Sequence, residues 1–135
     1  LPYSEILTAY PAHQYSMHVA LSYVKLNKLR EEKYLQAKNS GYHLATYVSS
    51  KSSTWSDLST GDNCFILEDQ TIQPNVKIGN NCNILAYSHV AHVCSIGNNT
   101  VLSNNTTLAG HVIIGENVVI SPLSFHFTSS IVNQP

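Results

Sequence analysis

Lys77-Ile-Gly-Asn-Asn-Cys-Asn-Ile84 is followed eighteen residues later by Ser95-Ile-Gly-Asn-Asn-Thr-Val-Leu102, a second copy of the same unit. Stepping outward from these copies in sixes gives Ile66, Ile72, Ile78, Ile84, Val90, Ile96, Leu102, Leu108, Ile114 and Ile120, all aliphatic. Two places before each stands a mostly small residue: Cys64, Gln70, Val76, Cys82, Ser88, Cys94, Thr100, Thr106, Val112 and Val118. Gly61, Gly79, Gly97 and Gly115 recur every eighteen residues, each with an asparagine two positions later. Residues two apart share one face of an extended strand. The four-residue step to the next inward pair then requires a corner, and three corners close one eighteen-residue coil. Gly and Asn suit such corners because they accept positive φ at low cost. Apolar spacing of three and four, the mark of an amphipathic helix, is absent from this stretch. The two periods predict a parallel β-helix with three short faces per coil.

Composition narrows the remaining possibilities. The chain has 135 residues and a net charge of −1, which gives no electrostatic case for binding nucleic acid. No Lys or Arg follows Lys77. No apolar run reaches membrane-spanning length and no signal segment opens the chain, so a cytoplasmic protein without membrane insertion is expected. Cys64, Cys82 and Cys94 all fall in the small inward slot of the repeat, which predicts packed thiols rather than disulfides or metal ligands.

Before the repeats, the chain divides differently. Residues 1–16 carry two prolines and no period and read as irregular. The apolar run 17–23 predicts a strand, 27–39 a helix with Asn27 as N-cap and Gly41 beyond its end, and 44–48 a second strand. Together they form a βαβ unit within a partial α/β subdomain, 1–50. The β-helix coils are expected over 51–122. The period weakens at His126, so 123–135 is expected to be a frayed coil or tail.

Aligned in eighteens, Pro74, His92, Gly110 and Thr128 form one column, while Asn75, Val93, His111 and Ser129 form the next. His92 is outside the inward slots and so points away from the coil. Gly110 follows one coil later, about 4.8 Å away at strand spacing, and leaves room beside the imidazole. An exposed imidazole at such a place can act as a general base near neutral pH. The plain alternative is a polar surface residue, and His89 and His111 carry weaker signals still. Three classes of function compete on this pattern: an enzyme, a non-catalytic scaffold that binds a sugar or a partner, and an ice-binding face. The threonines are too few and too irregular for the last.

The consecutive Ile-Gly-Asn-Asn units resemble the left-handed β-helix acyltransferases. The βαβ segment, with Val19-Ala-Leu-Ser-Tyr-Val-Lys-Leu-Asn-Lys-Leu-Arg-Glu-Glu-Lys-Tyr34 and Gly41-Tyr-His-Leu-Ala-Thr-Tyr-Val48, resembles the nucleotide-sugar-binding subdomain of the bacterial sugar O-acyltransferases. Ser88-His-Val-Ala-His-Val-Cys-Ser-Ile-Gly97 resembles their active-site coil. That family includes sialic-acid O-acetyltransferases and nucleotide-aminosugar N-acetyltransferases. The resemblance implies a left-handed coil, acetyl-CoA as co-substrate, no metal, and a homotrimer acting on a nucleotide-linked aminosugar or sialic acid. It implies His92 as the catalytic base, His89 as a substrate contact, and Gly110 and His111 lining the acetyl-CoA groove. Relatives of the aminosugar type often carry an acidic residue directly after the histidine, where this chain has Val93. The Gly-rich loop and the later coils of such enzymes are also missing, which implies a fragment or an inactive, purely binding derivative.

Overall fold

The computed structural model describes residues 2–23 and 25–133. A three-faced parallel β-solenoid fills most of this span. Its first sheet stacks Tyr47–Val48, Phe65–Ile66, Asn83–Ile84, Val101–Leu102 and Val119–Ile120. The second stacks Ser53–Thr54, Thr71–Ile72, His89–Val90, Thr107–Leu108 and Phe125–His126. The third stacks Ser59–Thr60, Lys77–Ile78, Ser95–Ile96, Ile113–Ile114 and Ile131–Val132. Every pairing within these three sheets is parallel with partners eighteen residues apart, as in Val90↔Leu108 and Ile96↔Ile114. Inward aliphatics and the small residues two before them make one continuous core, including all three cysteines as free thiols. Burial of such side chains stabilises by about 1.5–3 kcal/mol each.

The corners follow a stricter rule than the sequence suggests. One residue in six has φ between 53° and 63°, without interruption from Asn63 through Asp69, Asn75, Asn81, Tyr87, Val93, Asn99, Asn105, His111, Asn117 and Leu123 to Ser129. Asparagine takes half of these twelve left-handed sites, because its short amide tolerates the conformation. The periodic glycines are there for another reason. None of Gly61, Gly79, Gly97 and Gly115 has positive φ, but a Cβ on Gly97 would lie 2.6–2.8 Å from the backbone of Gly115 and Glu116. They mark close approach between coils rather than strained turns.

Buried asparagines at one corner bond from coil to coil. Asn63 donates its amide to Asn81 Oδ1 at 2.7 Å, and Asn81 donates to Asn99 Oδ1 at 2.9 Å. Helix α2 (Lys28–Asn39) lies across this ladder. Asn27 sits at the expected N-cap place, but with φ 64° and without a capping bond; its side-chain amide donates instead to the Asn99 carbonyl at 2.5 Å. Asn99 donates in turn to Glu31 Oε1 at 2.9 Å. Gly41, at φ 87°, ends the helix as expected.

The N-terminal strands are much shorter than the sequence predicts. β1 is Ser16–Met17 and pairs in parallel with β2, His43–Leu44, so the βαβ order of 17–23, 27–39 and 44–48 exists only in miniature. Residues 18–23 are not a strand. The His18 ring packs 5.5 Å from Phe65 on the outer face of the first sheet, and Val19 N–H donates to Asn63 Oδ1 at 2.7 Å. Solenoid pairing already begins at Tyr47, inside the span assigned to the α/β part. A short helix, α1 (Tyr3–Ala9), replaces the expected irregular opening over 1–16, and residue 1 is outside the described residues. At the other end the expected fraying over 123–135 is not seen through residue 133: a regular coil continues to Val132, with left-handed corners at Leu123 and Ser129. Residues 134–135 are outside the described residues.

Candidate functional site

The second and third sheets meet at a corner that carries His92. Its backbone is fixed from both neighbouring coils. His92 N–H donates to Gln73 Oε1 at 3.0 Å, Val93 N–H to the Pro74 carbonyl at 3.1 Å, and His111 N–H to the His92 carbonyl at 3.0 Å. The His92 side chain is exposed, as its outward phase predicts. The space beside it differs from expectation. An added Cβ on Gly110 would lie 2.7 Å from His92 Cε1 and 2.9 Å from Nε2, so the imidazole already rests on the glycine. Gly110 is a floor for the ring rather than an empty pocket. The His111 ring stands edge-on to it, with centroids 5.1 Å apart and planes at 87°.

His92, Gly110 and His111 therefore come together on adjacent coils. His89 does not join them. It lies on the flat second sheet, half-buried and in register with Thr71 and Thr107. Gln73 was not legible as a site residue, although its place in the corner of the preceding coil could have suggested it. Among the described residues, no side chain hydrogen-bonds the His92 ring, and the next position, Val93, supplies an aliphatic side chain. Val93 is also a β-branched residue at φ 60°, a strained choice at a kind of corner that uses asparagine half the time.

The cysteine two residues on is no nucleophile. Cys94 is buried, its thiol donates to the Ala109 carbonyl at 3.2 Å, and burial pushes its pKa up. Cys82 is held well above the ordinary thiol range by its hydrogen bond with Cys64 and by burial. Among the described residues, no group of three His, Cys, Asp or Glu side chains is placed to hold a metal ion. No helix among them is long and apolar enough to cross a membrane.

Residues 75–110 and 93–125, the coils that carry the histidine corner, match the family described as Bacterial transferase hexapeptide (six repeats). No curated protein sequence matches the chain. Among solved structures, it is similar to a histidine-to-asparagine mutant of perosamine N-acetyltransferase from Caulobacter crescentus, in complex with CoA and GDP-perosamine. That match has a TM-score of 0.64 and 15% identity over 78% of this chain and 59% of the other. It is also similar to the acetyltransferase domain of PglB from Neisseria gonorrhoeae in complex with acetyl coenzyme A. There the TM-score is 0.63 and the identity 15%, over 97% of this chain and 73% of the other. The shared feature is the fold. The chain spans 59% of the length of the perosamine enzyme.

Proposed function

We propose that this chain belongs to an acetyl-CoA-dependent acyltransferase acting on an amine or hydroxyl of a nucleotide-linked aminosugar or sialic acid, with His92 as general base. The observation that carries the reading is the exposed His92 imidazole, seated on Gly110 at a fixed corner of a hexapeptide-repeat solenoid. Support also comes from similar folds whose structures hold CoA with GDP-perosamine, or acetyl coenzyme A. In this scheme His92 removes a proton from the acceptor amine or hydroxyl as that atom attacks the thioester carbonyl. The tetrahedral intermediate collapses, the carbon–sulfur bond breaks, and CoA leaves as the thiol after taking up a proton. Gly110 borders the place where the pantetheine arm would run, His111 stands beside it next to the base, and His89 is a substrate contact further along the second sheet. A homotrimer, with co-substrate held between subunits, belongs to the same reading.

The test is release of free thiol from acetyl-CoA with a panel of nucleotide aminosugars and sialic acid. Acceptor-dependent release is expected, with a loss of about 10²–10⁴-fold in His92→Ala, the usual contribution of a general base. Unchanged turnover in His92→Ala would remove the assigned role. A second reading, a non-catalytic scaffold, is favoured by Val93 standing where an orienting carboxylate is expected. Titration calorimetry with CoA separates the two, since a scaffold without a co-substrate site gives no heat.

A further inference from the structure

An exposed imidazole on a single corner is free to change rotamer on the picosecond-to-nanosecond scale, yet a general base must hold its nitrogen on line with the acceptor. The next residue, Val93, offers no carboxylate to orient the ring, and among the described residues no side chain bonds the His92 ring. Two other contacts hold the ring: the bare backbone of Gly110 beneath it and the edge-on ring of His111 beside it. His111 is itself at φ 63°, a conformation that half of the solenoid's left-handed corners leave to asparagine. Histidine is among the residues that tolerate the left-handed region, so this corner can carry an aromatic ring, and it does so where that ring stands edge-on to His92. Its N–H bonds the His92 carbonyl at 3.0 Å, the backbone bond that recurs from corner to corner, which sets the two residues side by side.

We propose that His111 is a positioning residue, whose ring acts as the wall that holds the His92 imidazole on Gly110 in place of an orienting carboxylate. The proposal rests on the reading of His92 as base, and it assigns His111 a role distinct from contact with acetyl-CoA. His111→Asn removes the ring but keeps a residue suited to the left-handed corner, so the coil stays folded. His111→Phe keeps an aromatic wall of similar shape.

The experiment uses histidine-labelled full chain and two readouts. In the first, the nuclear Overhauser cross-peak between His92 Hε1 and Gly110 Hα is strong in the native protein and in His111→Phe, and is lost or averaged in His111→Asn. In the second, kcat falls about tenfold in His111→Asn with the acetyl-CoA KM within about twofold, and His111→Phe recovers most of the loss. A cross-peak that survives intact in His111→Asn overturns the proposal. So does loss of the cross-peak with kcat unchanged, or a raised acetyl-CoA KM at constant kcat, which would make His111 a co-substrate contact. If the native chain transfers no acetyl group to any acceptor, the reading of His92 as base fails separately, while the cross-peak still decides whether His111 holds the ring.

Discussion

At the residue scale, the informative positions are those where the repeat departs from its own rule. Gly110 is the clearest. A methyl group there meets the tip of a flexible side chain rather than backbone, so Gly110→Ala should displace the His92 ring and leave the coil intact. The expected result is a loss of activity of about tenfold or more with a stability change below about 1 kcal/mol, read by turnover and by denaturant unfolding. Val93 is the second such position. A β-branched residue in the left-handed region costs roughly 1–2 kcal/mol, so Val93→Asn should raise stability by about 1 kcal/mol in the same unfolding measurement. The column alignment found His92, Gly110 and His111 as neighbours but left the space over Gly110 empty. Spacing gives the direction in which a side chain leaves the coil; it does not say that the ring folds back onto the next one.

At the element scale, the solenoid corner and helix α2 depend on one another. Asn63, Asn81 and Asn99 are buried and bonded in series, and Asn27 and Glu31 of the helix segment close the series from outside. Asn81→Ala leaves an amide donor of Asn63 and the Oδ1 of Asn99 without partners and puts alanine at φ 57°. Unfolding by denaturant should show a loss of about 2–4 kcal/mol, since each orphaned buried group costs roughly 1–3 kcal/mol. The helix was legible because a run of good helix formers ends before Gly41. The strand expected over 17–23 was not, since an apolar run looks the same whether it pairs in a sheet or lies across one. His18 against Phe65 and Val19 bonded to Asn63 show the second use. Likewise, Asn27 looked like a helix cap, but its amide reaches the Asn99 carbonyl instead, a partner 72 residues away that no local pattern reveals.

At the scale of the whole molecule, two superposed periods determine nearly everything about the solenoid: three parallel sheets, a core of aliphatics and thiols, and corners every sixth residue. The coil continues to Val132 because backbone pairing needs only the left-handed corner and the step of six, and both persist at Leu123 and Ser129 after the aliphatic slot has given way to His126. A scaffold of this regularity presents the same backbone at each corner, so chemistry must come from the few side chains that break the pattern. The proposed function assigns that part to His92 and its two neighbours. The most direct measurement of this account is the mass of the acceptor sugar after incubation with acetyl-CoA and either the native chain or His92→Asn. The account predicts an acceptor heavier by one acetyl group with the native chain, and product formed at least about 10²-fold more slowly with the variant. Equal product from both, or acetyl-CoA binding without product from the native chain, would contradict it.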